Sequence, residues 1–498
     1  MPLIPQNLSS FNVPGVYTQE TTAGSYAAGL SDFSEVYMVG TATSASCPFN
    51  TPMLVRSLED FINLTGSSPS IPYVRMYFLQ RPGKGINFVR VSAKKTRTIT
   101  VAGAVAATDY TVTFDGVPLT YRAKLTDTAP QVLGEIARLI NESLRGVASL
   151  RNGVLRYAAT TVSASANLTL GTESTAAATP TVGDFQDSIE YSFTGDLPQG
   201  YICAPEFFAR VGATPAEHAL VASSLESLAN DPRYYWVAII DPLVSTATEP
   251  MPAIAINKAI AERNALSSSK GHSWYYFPYA VDADDVLIPP SVLAIAVEIR
   301  RNRNEGFYEP GAGVGYPLVA VKRFTQNIDD LYQDRLNPLG INCLRTIPNN
   351  GNLIWGSRTL STDPLYRFTS TRKVFNVLSG TLRNAYKSIV FKSIDRRAGQ
   401  LSRVTATATG VLEQLRLAGA LYGASPSDSY QVISDLTNNT PENLDAGILY
   451  IDVYAKPNAI AEVVALRLIR TALGTVFETT DLTENVDPKA SPSGGTVK

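Results

Sequence analysis

The sequence predicts a mixed α+β, multidomain protein whose core is an α/β sandwich with a mostly parallel β-sheet. From residue 201 to residue 304, short apolar runs alternate with helical patterns of about 12 residues, which is typical of a parallel sheet covered by helices. Residues 95–200 change in composition to Thr, Ala, Ser and Val and carry hairpin turns, which indicates an inserted, mainly β domain. Helical patterns and one further strand follow residue 370, and they predict a C-terminal α+β domain.

The length of 498 residues exceeds what one ordinary hydrophobic core organises, so we expect roughly two to four domains. Hydrophobic residues make up 45% of the chain and charged residues 17%, as in globular proteins. No apolar run reaches the roughly 18 residues of a membrane span, and the first residues do not match a signal peptide. Cys47, Cys203 and Cys343 are widely spaced, which predicts reduced, buried thiols.

The first hundred residues contain extended and helical patterns in alternation. Residues 14–20 follow a Pro-Gly turn as an extended segment without a local strand partner. Such a terminal segment either frays or pairs with another chain. Residues 36–40 and 87–91 predict buried strands, and residues 58–64 predict a short helix.

The inserted domain is predicted from its turns. Alternating apolar residues enter and leave Asp115-Gly116, and Asn152-Gly153 marks a second hairpin, because these dipeptides favour the left-handed conformations of tight turns. A helix is predicted between them, over residues 130–144. The domain contains no cluster of ionisable residues, so we expect it to decorate an outer surface.

The α/β core resumes at residue 201. The predicted helices cover residues 214–229, 252–266 and 290–304, and the first begins with a Thr-Pro pair that suits a helix start. The predicted strands cover residues 234–240 and 274–279. Both are near-continuous apolar or aromatic runs, as expected when helices cover both faces of a sheet.

A β-hairpin is predicted around Pro348-Asn349-Asn350-Gly351. Residues 341–347 and 352–355 form the flanking strand patterns, and Asn350-Gly351 supplies the two positive-φ residues of a type I′ turn. Two helices follow, over residues 374–390 and 400–421, with Thr369 or Ser370 as the N-cap of the first. A strand is predicted over residues 447–454, and residues 462–470 fit either a helix or a strand.

Candidate catalytic residues are few. The chain has two histidines, His218 and His272, and neither lies in a metal-ligand spacing. A Ser-His-Asp triad would have to use one of them. Because the Gly-x-Ser-x-Gly motif does not occur, we interpret both histidines as structural.

Two further motifs could bind a ligand. Residues 311–315, Gly-Ala-Gly-Val-Gly, lack the strand and helix that flank a phosphate-binding loop, so they predict a flexible loop. Asp282, Asp284 and Asp285 do not match a calcium-binding loop and fit a solvated turn. The sequence therefore predicts no cofactor, no metal site and no nucleic-acid surface.

The charge is distributed unevenly, although the net charge is only −2. Residues 371–420 contain nine basic and two acidic residues, a net charge of +7, and residues 421–498 have a net charge of −5. The basic segment is either a solvated face or a face that meets an acidic protein partner.

The region around the hairpin also resembles a known family. The matching residues are Gly340-Ile341-Asn342, Trp355-Gly356, Arg358-Thr359-Leu360-Ser361, Asp363-Pro364 and Arg367. In this order they resemble the signature of contractile-tail sheath proteins, which occur in phage tails and in bacterial contractile injection systems. The family typically has a Gly-Arg turn before the second strand, where this chain has Asn349-Asn350-Gly351.

The resemblance implies a structural protein without catalytic activity, which polymerises around an inner tail tube and contracts to drive the tube through a target envelope. The implied partners are further copies of the chain, the inner tube protein, and baseplate and tail terminator proteins, with no nucleic acid and no membrane insertion. The implied location is a virion assembled in the host cytoplasm, or a bacterial cytoplasmic injection system. A serine hydrolase on a subtilisin-like domain and a host-surface binding module are the alternatives.

The resemblance also assigns roles to residues. The implied inter-subunit arm residues are Val13, Pro14, Gly15, Val16, Tyr17, Val464, Leu466 and Leu468. The implied tube-facing residues are Arg396, Arg397 and Arg403 of the basic segment. The residues expected to be structural in the hairpin are Asn350 and Gly351, from the turn pattern, and Trp355, Gly356 and Arg358, from the resemblance. The expected domains are an arm (1–20), a core (21–94 and 201–370), an inserted outer domain (95–200), an inner tube-proximal domain (371–470) and a tail (471–498).

Overall fold

A computed structural model describes residues 30–144, 147–175, 179–193, 197–392 and 399–464. The chain divides into two units, residues 1–458 and 459–498. The helices and strands of the described ranges lie in the first unit. The described residues of the second unit, 459–464, form no helix or strand.

Strands and helices alternate along much of the first unit. The strands are β1 (Glu35–Gly40), β2 (Pro52–Val55), β3 (Ile86–Arg90), β4 (Lys95–Val101), β5 (Asp109–Phe114), β6 (Val117–Arg122), β7 (Ala148–Arg151), β8 (Val154–Tyr157), β9 (Val162–Ala164), β10 (Leu168–Leu170), β11 (Gly200–Cys203), β12 (Val237–Ile240), β13 (Ser273–Phe277), β14 (Ala280–Val281), β15 (Leu287–Ile288), β16 (Arg323–Phe324), β17 (Ile341–Ile347), β18 (Gly351–Trp355), β19 (Tyr430–Ile433) and β20 (Asp452–Ala455). The helices are α1 (Leu58–Thr65), α2 (Ile71–Leu79), α3 (Ala129–Ser143), α4 (Val182–Tyr191), α5 (Pro205–Phe208), α6 (Pro215–Ala229), α7 (Val244–Ala247), α8 (Pro252–Asn264), α9 (Pro290–Asn304), α10 (Asp330–Leu336), α11 (Thr369–Tyr386), α12 (Gly399–Leu417), α13 (Pro426–Ser429) and α14 (Pro441–Asp445).

The largest sheet in the described ranges has eight strands in the order β18-β17-β13-β12-β11-β1-β3-β2. The six inner strands are parallel to one another, and the edge strands β18 and β2 are antiparallel to their neighbours. Helices connect the parallel strands, as such crossovers require. The expectation of a mixed α+β fold is confirmed.

Both faces of this sheet are buried. Val36 and Met38 of β1 pack in one hydrophobic cluster with α2 and α9, whereas Tyr37 and Val39 pack in another with α4 and α6. Successive residues of a strand point to opposite faces. A strand covered on both sides must therefore be apolar at every position, which explains the continuous apolar runs in the sequence.

Strands β4–β10 and helix α3 form a module with its own hydrophobic cluster. Its strands pair as β10-β4-β8-β7 and β6-β5-β9. The two predicted hairpins are confirmed: Asp115 and Gly116 connect β5 to β6, and Asn152 and Gly153 connect β7 to β8, all four with positive φ. Helix α4 also lies in the range predicted for the insertion, but it packs on the central sheet.

The predicted hairpin of residues 341–355 is present as β17 and β18, but the predicted turn type is wrong. Ile347 pairs with Gly351, so three residues form the loop. The positive φ angles fall at Asn349 (65°) and Gly351 (83°) rather than at Asn350 and Gly351. A three-residue loop places its left-handed residues differently from a two-residue type I′ turn.

Several element boundaries differ from the sequence prediction. Helix α11 ends at Tyr386 rather than at residue 390, and α12 ends at Leu417 rather than at residue 421. Strand β12 begins at Val237 rather than at residue 234, because the chain bends at Tyr235, where φ is 49°. Helix α11 begins at Thr369 with Phe368 as N-cap, so neither Thr369 nor Ser370 is the cap. Residues 447–451 are not a strand, because the buried Asn439 side chain bonds the N–H and C=O groups of Tyr450.

Candidate assembly surface

The hairpin motif is held together by one buried amide. The Asn342 side chain accepts a hydrogen bond from the Arg358 N–H at 2.7 Å and donates to the Arg358 carbonyl at 2.8 Å. A Cβ atom on Gly356 would lie 3.0 Å from the Asn342 Cα, so the chain passes too closely for a side chain there. These contacts explain why Asn342, Gly356 and Arg358 occur together in the motif: they fix the segment that follows the edge strand β18.

Helix α11 is anchored to the core by Lys373. The Lys373 Nζ donates to the Glu298 carboxylate at 2.6 Å and to the Glu309 carbonyl at 2.6 Å, and the Lys373 and Glu298 side chains are buried. Burial lowers the pKa of Lys373, and the adjacent Glu298 carboxylate opposes this effect. Lys373 therefore serves packing between α11 and α9 and is not a surface charge.

The geometry of the two histidines does not match a catalytic triad. Each is fully buried, and each bonds a backbone carbonyl: His218 contacts Asp241 at 2.9 Å and His272 contacts Trp236 at 2.9 Å. Burial lowers the pKa of both, for His272 to about 3. A general base that activates a serine must reach its hydroxyl, and these imidazole contacts are made to the main chain instead.

A buried serine and aspartate lie near His218. The Ser291 hydroxyl donates directly to the Asp241 carboxylate at 2.6 Å, without an imidazole between them. Both residues are fully buried, and burial raises the pKa of Asp241 to about 7. The pair joins the end of β12 to the start of α9, and a substrate would have no access to the hydroxyl.

The acidic turn is neutralised by neighbouring cations. Asp284 pairs with Arg75 at 2.8 Å, Asp285 pairs with Lys322 at 2.8 Å, and the Asp282 side chain accepts backbone N–H groups. Within the described ranges, no group of three or more His, Cys, Asp or Glu side chains is placed to hold a metal ion. No helix of the described part combines the length and apolar character needed to cross a membrane.

The glycine-rich loop covers the edge of the central sheet. The Gly313 N–H donates to the Ile354 carbonyl of β18 at 3.0 Å, and the Gly311 N–H donates to Glu298 at 2.9 Å. These amides are therefore used within the fold. A phosphate-binding loop would direct its N–H groups toward the ligand.

Strands β19 and β20 form a two-stranded antiparallel sheet. One face packs on the core through Tyr430, Val432 and Val453, and the Tyr454 side chain on the other face is 56% exposed. A two-stranded ribbon is marginally stable by itself. Its outer edges pair with no further strand among the described residues.

A large apolar groove lies beside this ribbon. Its volume is about 1270 Å³, and its walls include Tyr386, Val404, Leu444 and Ile451. Phe391, at its rim, is fully exposed. Exposed apolar patches often mark a protein interface.

The chain resembles known proteins in part of its sequence and in its fold. No family model matches it. The tail sheath protein of Enterobacteria phage T4 is 24% identical over 172 residues, which are 34% of this chain and 24% of that protein. The alignment thus spans about a quarter of the curated relative's length.

Two solved structures are similar over most of the chain. The sheath of an extracellular contractile injection system, PVC, in its contracted state has a TM-score of 0.56 at 18% identity, covering 93% of this chain and 98% of that one. The helical sheath of the anti-feeding prophage (AFP) in its contracted state has a TM-score of 0.56 at 17% identity, covering 93% and 100%. The chain therefore shares the fold of these two contractile sheath structures. The resemblance seen in the hairpin motif is confirmed.

The structure describes only some of the residues that were expected from the sequence to have a role in assembly. The arm residues Val13, Pro14, Gly15, Val16, Tyr17, Leu466 and Leu468 and the tube-facing Arg396 and Arg397 lie outside the described residues. Val464 is 82% exposed, and Arg403 is half-buried on α12. Gly351 and Trp355 are the first and last residues of the edge strand β18, Asn350 lies in the loop before it, and Gly356 and Arg358 follow it. Their roles, like those of the arm and tube-facing residues, stay predictions.

Sequence reasoning missed the buried cations of this sheath-fold chain. Arg372 and Lys373 belong to the segment of net charge +7, yet they are only 4% and 0% exposed. The segment therefore presents fewer cations to a partner than its sequence suggests. Their burial could have been expected from the sequence, because Arg372 and Lys373 directly precede Val374, the first apolar residue of the predicted helix.

Proposed function

We propose that the chain is a structural subunit of a contractile tail sheath, without a catalytic role. The observation that carries the proposal is the similarity over 93% of the chain to two sheaths solved in the contracted state. In this role, copies form a helical tube around an inner tube, and contraction drives that inner tube through a target envelope. A helical polymer needs heterologous contacts that do not close into a ring.

The β19–β20 ribbon is the proposed site of subunit linkage. Terminal arms of neighbouring copies, carrying Val13–Tyr17 and Val464–Leu468, would add strands to its edges. Strand addition uses the backbone hydrogen bonds of both partners, so the linkage lies in the arms and not in the other subunit surfaces. This arrangement keeps subunits connected while their other contacts change.

The remaining partners follow from the same role. AFP baseplate structures have related folds, with a TM-score of 0.54 in one case, which supports a baseplate contact for this chain. The inner tube protein and a tail terminator are further proposed partners, with Arg396, Arg397 and Arg403 directed at the tube. The proposed location is a phage tail or a bacterial contractile injection system, with residues 95–200 outermost and residues 371–470 nearest the tube.

Electron microscopy of the purified full-length protein tests the proposal. We expect helical tubes, and we expect the same protein without residues 1–20 to remain folded but to form no tubes. Folding of the truncated protein is checked by circular dichroism and its thermal midpoint. A full-length protein that stays a monomer or a small closed oligomer under all conditions would contradict the sheath role and favour a binding module.

A further inference from the structure

The amino end of α11 is buried without a capping side chain. The Thr369 N–H donates to the Ser357 carbonyl at 2.9 Å, whereas the N–H groups of Ser370 and Thr371 have no hydrogen-bond partner in the described part of the chain. Ser370 and Thr371 are only 3% and 9% exposed. The first turn of a helix leaves its N–H groups without intrahelical acceptors, so a buried helix start needs an acceptor from elsewhere.

Side-chain donors at the same helix end also lack partners. The Thr369 Oγ1, the Ser370 Oγ and the Arg372 Nε are buried and have no hydrogen-bond partner among the described residues. Arg372 is 4% exposed, and its Nη1 donates to the Lys270 carbonyl at 3.2 Å. Long side chains of a helix lean toward its amino end, which directs the Arg372 side chain toward the turn that Thr369 begins. The guanidinium carbon lies 5.3 Å from the Tyr366 ring and 5.8 Å from the Phe375 ring.

The positive charge of Arg372 is not balanced by an ion pair. No carboxylate in the described ranges lies within 4 Å of it, and Glu226, the acidic group that acts on it, accepts hydrogen bonds from Ser268 and Ser273. The Tyr366 ring lies 5.3 Å from the guanidinium carbon. Burial lowers the pKa of Arg372 to about 10. A buried, unpaired cation is costly unless a negative group compensates it.

We propose that the amino end of α11 binds a small monovalent anion of the chloride type. The ligands would be the N–H groups of Ser370 and Thr371, the hydroxyls of Thr369 and Ser370, and the Arg372 Nε–H. One guanidinium and the positive end of a helix dipole balance a single negative charge, so a phosphate would leave excess charge in a buried site.

His272 is the competing partner for Arg372. Its Nδ1 faces the Trp236 carbonyl and must donate to it, so its buried Nε2 carries a lone pair and could accept the Arg372 Nε–H. That contact would satisfy one donor and leave the two N–H groups and two hydroxyls of the helix start without partners. A bound anion would accept hydrogen bonds from all of these donors, and it would neutralise the positive charge of Arg372.

The direct test is crystallography of the full-length protein grown in sodium bromide. We expect an anomalous bromide peak within about 3.5 Å of the Ser370 and Thr371 nitrogens and the Arg372 Nε. A water peak without anomalous signal at this position would overturn the proposal, as would a rotated Arg372 bonded to His272. The anion site is independent of the sheath role, so either can be disproved without the other.

A solution test uses thermal unfolding in sodium chloride, sodium bromide and sodium gluconate at equal ionic strength. We expect chloride and bromide to raise the midpoint by about 1–3 °C in a saturable manner, relative to gluconate. The double variant Thr369→Val/Ser370→Ala should lose this difference and still fold, whereas the exposed control Ser402→Ala should keep it. An equal anion response in the double variant and the parent would contradict the site.

Discussion

The Nζ atom of Lys373 lies 2.6 Å from a carboxylate oxygen of Glu298, and neither side chain is more than 2% exposed. The other Glu298 oxygen accepts the Gly311 N–H at 2.9 Å. One buried pair therefore connects α11, α9 and the glycine-rich loop. Such a pair contributes less to net stability than its short distance suggests, but breaking it on one side leaves a buried charge without a partner.

We expect Lys373→Met to lower the free energy of unfolding by about 3–5 kcal/mol, because Glu298 would keep its buried charge. The double variant Lys373→Met/Glu298→Met should lose clearly less than the sum of the two single variants, since both charges are gone. Urea unfolding of the four proteins measures the coupling. Lys322→Met is the matched control: it breaks the exposed pair with Asp285 and should cost less than about 1 kcal/mol. Additive losses in the cycle would contradict the anchoring role.

Asp241 should make stability fall as the pH rises. Burial raises its pKa from 3.8 to about 7 in the folded protein, whereas the unfolded chain titrates near its ordinary value. Between about pH 4 and pH 7 the folded state therefore binds more protons than the unfolded state, and the free energy of unfolding decreases with pH, by up to about 4 kcal/mol. Above pH 7 this contribution is constant.

Asp241→Asn removes the titrating group and keeps the contact with Ser291. We expect a flatter dependence of the unfolding free energy on pH between 4 and 7, and a variant more stable than the parent at pH 8. Asp284→Asn, at an exposed position, is the control and should leave the slope unchanged. If the Asp241 variant and the parent show the same slope, the carboxyl is ionised in the folded state throughout this range.

Local chemistry explains which parts of the fold could be predicted from the sequence. The turns at Asp115-Gly116 and Asn152-Gly153 depend on two adjacent residues, so their hairpins were predicted correctly. The parallel strands were recognisable because burial on both faces requires continuous apolar runs. The loop at Asn349 has three residues, one more than the two-residue loop of a type I′ turn. The pairing of Ile347 with Gly351 across the strands sets this length, and it cannot be read from the turn residues alone.

Long-range partners explain what the sequence did not predict. Lys373 looks like a surface cation in a basic helix, and only its partner Glu298, 75 residues away, accounts for its burial. Residues 447–451 alternate like a strand, but the Asn439 side chain occupies their backbone groups instead. The cap of α11 was misplaced because Thr369 and Ser370 are residue types typical of caps, although their side chains face the core.

Gly351→Val should destabilise the hairpin through the backbone alone. Gly351 has φ of +83°, and a Cβ atom there would have open space around it, so no clash contributes. A β-branched residue at positive φ costs about 1–2 kcal/mol or more, which a thermal melt resolves. Asn350→Ala, at the neighbouring exposed position, is the control and should change the midpoint little. An unchanged midpoint for Gly351→Val would mean that the turn adopts another conformation without cost.

Reversing Arg396 and Arg397 to Glu should separate the sheath from the inner tube. Exposed ion pairs are worth only about 0.2–1 kcal/mol each, but a polymer repeats them many times, and salt screens them. We expect sheath that assembles without tube, and rescue when acidic tube residues are reversed as well. Lys322→Glu, a charge reversal at the exposed cation that pairs with Asp285, is the control. Tube-filled particles in yields equal to the parent, at low and high salt, would show that these arginines do not face the tube.

Excising the inserted module should leave assembly intact and reduce the outer diameter of the tubes. The Ser174 N–H donates to the Thr96 carbonyl at 2.9 Å, so a short Gly/Ser linker can replace residues 97–173 between ends that already pair. The excision removes the Ser149 and Arg151 contacts of Asp187, but the buried pair of Lys94 with Asp187, at 3.1 Å, remains. The buried Asp187 carboxylate should therefore keep a cationic partner, Lys94, after the excision.

The matched control for the excision is Ser149→Ala/Arg151→Ala in the full-length chain. It removes the same contacts of Asp187 but keeps the module, so its tubes should have the parental diameter in electron micrographs. Because the module has its own hydrophobic cluster, its loss should expose little apolar surface on the central sheet. Insoluble protein after excision, with normal tubes from the control, would show that the module covers part of the core rather than decorating the outside.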